Sequence, residues 1–269
     1  MQPTASPTSP RRDLDLSVIV PAYNEAERLP PTLEEILAYL EALPGRLAGP
    51  SKPEPPAIES FEVVVVDDGS ADRTAELAEA FAARGVRTLR QPANRGKGAA
   101  LRRGVTESRG RLVLISDADL STPIEDLERL HPHLNRAPLA IGSRAVSESE
   151  LIERQPFYRE LMGKTFNRLI RLAGVRGIAD TQCGFKLMDG EVARRLFSSM
   201  ITPGFAFDVE LVWLAQREGL EIAEVGVRWA NSAPSKVRPI VDSLTMLGEI
   251  ARFRWHHRGR RRGAPAPES

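Results

Sequence analysis

Short apolar runs alternate with segments of helical periodicity along the first half of the chain. Four runs have the length and apolar content of buried strands, at 16–23, 61–70, 86–91 and 111–117. Between them, apolar residues recur at helical spacing at 32–43, 70–85 and 96–110. Regular alternation of strand and helix predicts a parallel sheet with right-handed crossovers, flanked by helices.

The alternation is looser after residue 120. Apolar runs predict further strands at 139–144, 183–188 and 220–229. Helical spacing predicts helices at 123–133, 156–172, 191–200, 208–219 and 240–255. The whole pattern predicts an α/β fold with a mixed, mainly parallel central sheet.

Changes in composition mark the expected domain boundaries. Residues 1–13 are rich in Pro, Ser and Thr and are predicted to be a disordered tail. A single domain is expected over 14–240, and clustered Pro and Gly at 44–60 predict a surface loop inserted into it. Residues 241–269 are expected to form an amphipathic C-terminal helix and a basic tail.

Charge and cysteine content narrow the function classes. Lys and Arg number 37 against 36 Asp and Glu, so the net charge of +1 gives no field typical of a nucleic-acid binder. The single cysteine, Cys183, excludes an internal disulfide and a Cys-based zinc site. No apolar stretch reaches the length of a membrane span, and the first residues lack the apolar segment of a signal peptide. We therefore expect a protein of a reducing compartment, either soluble or attached to a membrane surface.

Acidic residues follow two of the predicted strands. Asp67 and Asp68 end one strand, and Asp117 and Asp119 end another. Ligands of open α/β sheets bind at the carboxyl ends of the strands. Residues two apart in a strand point to the same side, so Asp117 and Asp119 can share a Mg²⁺ or Mn²⁺ ion with phosphate oxygens. The alternative is a solvated acidic turn or a helix N-cap.

Two common nucleotide-binding motifs are missing. The first strand ends in PAYNEAE without G-x-G-x-x-G, which argues against a dinucleotide-binding fold. The stretch NRGKGAA is preceded by Gln91 and contains Gly98, whereas a Walker motif requires Gly at the first of these positions and Ser or Thr at the second. Lys97, between two glycines at a predicted helix start, can still hold a diphosphate together with backbone N–H groups.

Seven stretches in this order resemble the family 2 glycosyltransferases of GT-A (Rossmann-like) fold: VIVPAYNEAERL, VVVVDDGSADRT, NRGKGAALRRG, ISDADLS, IGSR, DTQCGFKLM and FAFDVEL. Within that family they are most similar to dolichyl-phosphate (polyprenyl-phosphate) β-glucosyltransferases, with dolichyl-phosphate mannose synthases as near relatives. The resemblance implies a nucleotide-sugar donor, a divalent metal, inversion at the anomeric carbon and a membrane lipid phosphate as acceptor.

The resemblance also implies roles for individual residues. Asp119 and Asp117 would bind the metal, with Asp117 near the ribose. The implied donor contacts are Pro21, Tyr23, Glu25, Asp67, Asp68, Lys97, Ser235 and Lys236. Ser121 stands where mannose synthases often have Gln, which leaves a third protein ligand of the metal open.

The acceptor decides which further groups are needed. A hydroxyl acceptor must lose a proton, for which Asp208 or Glu210 is a candidate base. A phosphate acceptor is already anionic and needs positioning, which arginines provide. Arg144, with Arg159 or Arg154, is a candidate clamp, and an ordinary surface ion pair is the alternative.

Two charged residues flank Cys183. Asp180 and Lys186 are candidates for contact with the sugar, the diphosphate or the acceptor phosphate, and the alternative is a plain ion pair. Cys183 itself is expected to be a small buried filler. We assign the four histidines no role.

The C-terminal helix carries an apolar stripe that includes Ile250 and Phe253, followed by Trp255 and a run of arginines. Such a stripe belongs either to the core or to an interfacial anchor on anionic lipid.

The motifs and the resemblance together lead to the first hypothesis for the function. It is a metal-dependent inverting enzyme that moves glucose from UDP-glucose to a polyprenyl phosphate and lies at the cytoplasmic face of a membrane as a peripheral protein.

Other functions stay open at this point. The donor can be GDP-mannose or the acceptor a soluble hydroxyl compound, and a nucleotide-sugar sensor without turnover is a hypothesis from another class. No nucleic-acid partner is expected. If the protein did bind a nucleic acid, the arginine tail would be the candidate site. A homo-oligomer is left open.

Overall fold

A computed structural model describes residues 13–44, 57–147, 149–151, 174–230 and 239–259. Nearly all of the predicted N-terminal tail, most of the inserted loop at 44–60 and the predicted helix at 156–172 lie outside these residues.

The described residues form strands and helices close to those predicted. The strands are β1 Leu14–Ala22, β2 Phe61–Asp67, β3 Val86–Arg90, β4 Gly110–Ile115, β5 Leu139–Ser143, β6 Glu150–Leu151, β7 Lys186–Asp189, β8 Ile222–Gly226 and β9 Arg228–Trp229. The helices are α1 Leu29–Glu41, α2 Thr74–Glu79, α3 Lys97–Thr106, α4 Leu127–Leu130, α5 Gly190–Ser199, α6 Phe207–Arg217 and α7 Pro239–His256.

Seven strands form the central sheet, in the order β3-β2-β1-β4-β7-β5-β8. Strand β7 runs antiparallel to both of its neighbours, β4 and β5, and the other pairs are parallel. The predicted mixed, mainly parallel sheet is therefore confirmed. Because β1 and β2 pair in register up to Ala22 and Asp67, their carboxyl ends meet at one edge, and the chain also leaves β4 at that edge.

Two apolar clusters cover the two faces of the sheet. Val64 and Val66 of β2 belong to one cluster, and Val63 and Val65 belong to the other. Helices α3, α5, α6 and α7 contribute to the first cluster, and α1 and α4 to the second. Continuous apolar runs such as VVVV result from this burial on both sides, as is usual in parallel sheets.

Two elements differ from their predicted extents. The helix predicted at 70–85 spans only Thr74–Glu79, because Asp72 accepts the N–H of Thr74 and Ser70 instead accepts the N–H of Asn24, at 2.9 Å. The strand predicted at 220–229 breaks at Val227, whose N–H donates to the carbonyl of Ser143. After the break, β9 leaves the main sheet and pairs with β6.

Helix α7 packs its apolar stripe into the core. Ile250 is 6% exposed and Phe253 is fully buried, with its ring 5.6 Å from that of Trp213 on α6. Trp255, in contrast, is 65% exposed. The apolar stripe was interpreted either as part of the core or as an interfacial anchor, and the core interpretation is correct for Ile250 and Phe253. Among the described residues, no helix has the length and apolar character needed to cross a bilayer.

This placement predicts opposite behaviour for two aromatic residues of α7. Phe253→Ala should lower the free energy of unfolding by about 3–5 kcal/mol, because it leaves a cavity in the core. Trp255→Ala should change it by no more than about 0.5 kcal/mol, because the ring is mostly solvated. Chemical denaturation of both variants measures the difference. Equal losses would contradict the described packing of α7.

Candidate active site

A cavity of about 290 Å³ opens at the carboxyl edge of the sheet. Its wall combines basic, acidic and aromatic side chains from strand ends and from the starts of two helices. The lining residues are Lys97, Asp117, Ser121, Thr122, Arg144, Gln182, Gly184, Phe185, Phe205, Asp208 and Trp229. Mixed charge at this edge matches the expected position of a ligand site.

Lys97 supplies the cation that Asp117 requires. Its Nζ lies 2.6 Å from Asp117 Oδ1. The pair forms because Gly96, at φ +99°, turns the chain into α3 so closely to Pro203 that a Cβ at Gly96 would lie 2.5 Å from the Pro203 carbonyl oxygen. Burial acts to raise the pKa of Asp117, but Lys97 and, more weakly, Lys186 outweigh it, so that the pKa lies below its ordinary value.

A second ion pair joins β7 to α6. Lys186 Nζ contacts Asp208 Oδ1 and also donates to the carbonyl of Cys183, and both side chains of the pair are buried. Burial raises the pKa of Asp208 above its ordinary value, although the ammonium groups of Lys186 and Lys97 oppose that change. Lys186 and Asp180 were candidates for ligand contact, with a plain ion pair as the alternative; each is in an ion pair, Lys186 with Asp208 and Asp180 with Arg144, and contact with a ligand stays a prediction.

The third pair joins Arg144, just after β5, to Asp180. Arg144 donates from Nε and Nη2 to the two carboxylate oxygens, at 2.7 and 3.0 Å, and its backbone N–H donates to the same carboxylate. Burial acts to raise the pKa of Asp180, but the guanidinium outweighs it and lowers that pKa. The guanidinium carbon also lies 5.7 Å from the centre of the Trp229 ring, within range of a cation–π contact.

One aromatic ring separates the two lysines. The buried ring of Phe207 has Lys97 Nζ at 5.7 Å and Lys186 Nζ at 6.0 Å from its centre. Gly98 allows this packing, because a Cβ there would lie 2.9 Å from the Cβ of Phe207. The ring therefore helps to hold two ammonium groups beside the same cavity.

Asp119 lies in the turn that follows β4. Its Oδ1 accepts the N–H of Ser121 at 3.0 Å, and Leu120 has φ +44°. On the other side of the turn, Thr32 of α1 donates to the carbonyl of Ala118 at 2.8 Å. The turn thus has a fixed backbone with a partly exposed carboxylate next to Asp117.

A divalent metal would find few protein ligands at this turn. Among the described residues, no group of three His, Cys, Asp or Glu side chains converges. Asp119 and Asp117 offer hard carboxylate oxygens, which suit Mg²⁺ or Mn²⁺, and such ions are often completed by phosphate oxygens and water. The residues fit a metal that arrives with a diphosphate, and they do not form a cage for a metal alone.

The predicted nucleoside residues lie at the ends of β1 and β2. Asp68 is buried and accepts the Gln91 side chain and the N–H groups of Arg95 and Gly96, so it ties the loop before α3 to β2. Burial raises the pKa of Asp68. Asp67 is also buried, and its Oδ1 accepts the N–H of Ser70 at 3.2 Å.

The other residues predicted there follow β1. Tyr23 is 42% exposed, which leaves much of its ring accessible. Glu25 forms an ion pair with Arg28 at 2.7 Å, and its N–H donates to Thr74 Oγ1. Pro21 is half-buried at the end of β1. Arg154, Arg159, Ser235 and Lys236 lie outside the described residues, so their roles stay predictions.

Glu249 forms hydrogen bonds that hold the segment 201–206 and that were not predicted from the sequence. Glu249 of α7 accepts the N–H groups of Gly204 and Ala206, at 3.0 and 3.1 Å. These two residues flank Phe205, which is 44% exposed at the cavity. These hydrogen bonds are invisible in the sequence because their partners are 43 and 45 residues apart.

Glu210 of α6 holds the start of the same segment. It accepts the N–H groups of Ile201 and Thr202 and contacts His257 Nε2 at 2.8 Å. Burial acts to raise its pKa, but these hydrogen bonds outweigh burial and lower it. Glu210 is therefore committed to the fold. His257, to which no role was assigned from the sequence, is buried and joins the C-terminal end of the described chain to α6.

Comparison with known proteins gives one family match. The model of "Glycosyl transferase family 2" matches residues 17–197, more than half of the chain. A dolichyl-phosphate beta-glucosyltransferase of Homo sapiens is 41% identical over 242 residues, which cover 86% of this chain and 72% of that protein. The protein of the same name from Drosophila melanogaster is 43% identical over 244 residues, covering 87% of this chain and 72% of that one.

Solved structures share the fold at lower identity. Mannosyl-3-phosphoglycerate synthase from Rubrobacter xylanophilus has a TM-score of 0.63 at 24% identity, covering 92% of this chain and 76% of that one. Glucosyl-3-phosphoglycerate synthase from Mycobacterium tuberculosis, in complex with Mn²⁺, UDP and phosphoglyceric acid, has a TM-score of 0.60 at 20% identity. The match covers 92% of this chain and 79% of that one. At these identities the likeness concerns the fold alone.

The contact between Gly184 and Asp117 predicts a sensitive position. A Cβ at Gly184 would lie 2.1 Å from Asp117 Oδ2, so Gly184→Ala must turn the carboxylate away from Lys97. We expect a loss of about 100-fold in kcat/KM with the fold retained, since a shift of about 1 Å in a site group has an effect of this size. Gly248→Ala is the matched control, because a Cβ on exposed Gly248 of α7 meets nothing within 4 Å.

The control variant should keep its activity and gain about 0.5–1 kcal/mol of stability, since Ala is favoured over Gly within a helix. Steady-state kinetics of both variants measure the change in kcat/KM, and thermal unfolding of both measures the change in stability. Full activity of Gly184→Ala would show that the position of Asp117 is not critical.

Proposed function

The chain belongs to glycosyl transferase family 2, and from that premise we propose that it transfers glucose from UDP-glucose to a polyprenyl phosphate of the dolichyl type. That it is a glycosyltransferase of GT-A fold follows from the family match and its relatives. The sugar and the acceptor in the proposal are those in the names of the relatives at 41% and 43% identity.

One observation in the cavity supports a phosphate acceptor in particular. Asp208, the candidate base, is buried and paired with Lys186, so its carboxylate is engaged by a cation rather than open to a hydroxyl proton. A hydroxyl acceptor requires a base, whereas a phosphate, with a second pKa of about 6, is already ionised and requires cations that position it. Lys97 and Arg144 line the cavity and supply such cations.

We assign the acceptor phosphate to the Arg144 side of the cavity. The hydrogen bonds of its guanidinium to Asp180 use Nε and Nη2, so within the described structure Nη1 is left for a ligand. Asp180 fixes the plane of the guanidinium, and the Trp229 ring lies beside it. Fixed guanidinium groups of this kind suit oxyanions, because little conformational freedom is lost on binding.

The donor is assigned to the other side of the cavity. The nucleoside would lie across the ends of β1 and β2, where Tyr23 is exposed, and its diphosphate would reach Lys97 at the start of α3. The first turn of α3 adds the positive end of its dipole. Its N–H groups are only partly available, since Ala99 donates to the carbonyl of Pro203 and Gly96 donates to Asp68.

A divalent cation, Mg²⁺ or Mn²⁺, would be held by Asp119 and Asp117 together with the diphosphate. When bound, it neutralises the negative charge that develops on the leaving diphosphate. Lys97 then keeps a second positive charge beside the same oxygens. Phosphate attack from the opposite side of the sugar gives inversion without a covalent enzyme intermediate. The lipid acceptor also implies that the protein works at the cytoplasmic face of a membrane.

A transfer assay with purified protein tests this function. UDP-glucose and a polyprenyl phosphate should give a lipid-linked glucose whose formation stops in excess chelator. Asp119→Ala should reduce the rate by about 100-fold or more, because a charge-stabilising group at the leaving diphosphate is lost. The matched control is Asp13→Ala, since Asp13 is exposed and lies just before β1, at the opposite edge of the sheet.

Four results would contradict the proposal or parts of it. Product from GDP-mannose alone would overturn the sugar and nucleotide, and transfer to a soluble hydroxyl compound alone would overturn the acceptor. Unchanged activity in excess chelator would remove the metal. Thermal stabilisation by a nucleotide sugar without any product would indicate a sensor.

A further inference from the structure

The outer side of α7 carries arginines around an exposed tryptophan. Arg252, Arg254 and Trp255 of α7 and Arg258 in the single turn that follows the helix are all exposed, and we call these four residues the basic face of α7. The guanidinium carbon of Arg258 lies 4.6 Å from the centre of the Trp255 ring, so the two side chains stack at the surface. In the sequence, three further arginines follow at 260–262.

The inner side of α7 is not available for another partner. Met246, Ile250 and Phe253 belong to the core, and His257 contacts Glu210 at 2.8 Å. The helix therefore cannot turn its apolar stripe toward a membrane without opening the core. A partner that binds the described part of α7 in the folded protein must use its exposed residues, among which those of the basic face carry the positive charge.

The charge of this face has one sign. Among residues 245–259 the one acidic residue is Glu249, and its carboxylate accepts N–H groups of Gly204 and Ala206. Three arginines and a tryptophan within seven residues suit a surface of anionic lipid headgroups, because arginines bind phosphate groups and Trp prefers the interface. Without a parallel row of exposed aromatics for base stacking, the face fits RNA less well.

The position of α7 relative to the cavity supports the same occupant. Glu249 holds the residues on both sides of Phe205, whose partly exposed ring lines the cavity. Trp255 follows Glu249 by six residues, about 9 Å along the helix axis. A surface that binds the basic face would therefore lie within about two helical turns of the segment that carries Phe205.

We propose that the basic face of α7 docks the protein on a membrane surface that contains anionic phospholipids. Trp255 enters the headgroup layer, and Arg252 and Arg258 contact lipid phosphates. The step from docking to acceptor delivery rests on the proposed function, because only a lipid-borne acceptor needs the entrance near the bilayer. The docking itself rests on the charge, exposure and fixed orientation of α7.

Vesicle co-sedimentation tests the docking without donor or acceptor. The full chain should bind vesicles of phosphatidylcholine mixed with phosphatidylglycerol, bind vesicles of phosphatidylcholine alone weakly, and be released by salt. Arg252→Glu and Arg258→Glu should each lower the partition coefficient by about tenfold or more, since an arginine near such a surface contributes about 1 kcal/mol and the reversal adds repulsion.

The matched control is Arg136→Glu. Arg136 is exposed and follows α4, in the layer on the opposite side of the sheet from α7. This reversal changes the net charge by the same amount and should leave vesicle binding within about twofold of the unchanged chain, because Arg136 lies on the other side of the sheet and salt screens charges at such separations. Melting temperatures of all variants confirm that the fold is kept.

Three outcomes would overturn the proposal. These are equal binding to neutral and anionic vesicles, equal loss in Arg136→Glu and Arg258→Glu, and binding of the face to RNA without binding to vesicles. The proposed function is tested separately with a short, water-soluble prenyl phosphate, whose glucosylation should be unchanged in Arg258→Glu. Vesicle binding without any transfer would defeat the proposed function alone, and transfer without vesicle binding would defeat the docking alone.

Discussion

Three ion pairs at the carboxyl edge of the sheet determine how the candidate site is built. Lys97 pairs with Asp117, Lys186 with Asp208, and Arg144 with Asp180. The Lys186–Asp208 pair is buried and the other two are partly exposed. An unpaired charge in the place of the buried pair would cost several kcal/mol, so its carboxylate and ammonium must be brought together by the fold or be neutral. The paired cations also form a cavity wall that suits anionic oxygens.

The topology of the sheet explains why these residues meet. Strand β7 is inserted antiparallel between β4 and β5, which places Lys186 and Gly184 beside the end of β4, where Asp117 lies. Helix α6 then starts at Phe207, against α3, and brings Asp208 to Lys186. The segment before α6 keeps its position through two carboxylates, Glu210 and Glu249. The site therefore depends on the C-terminal helix as well as on the strand ends.

Much of the fold and part of the site could be predicted from the sequence. Apolar runs located the strands of the main sheet, the carboxyl-end rule placed Asp67, Asp68, Asp117 and Asp119 at one edge, and the flanking glycines placed Lys97 at a helix start. Local sequence patterns contain no information about which residues far apart in the chain form contacts, so the contacts of Glu249 and His257 were not predicted. Helix α2 was too long in the prediction, because the hydrogen bonds of Asp72 with Thr74 compete with helix formation at its start.

A double-mutant cycle on Lys186 and Asp208 tests most directly whether paired burial governs this site. Chemical unfolding of Lys186→Met, Asp208→Asn and the double variant gives the coupling. Each single change should lower the free energy of unfolding by about 3–5 kcal/mol, because one buried charge is left unpaired. The double variant should lose much less than the sum of the two. Additive losses would contradict the account, because they would mean that the two charges are buried independently.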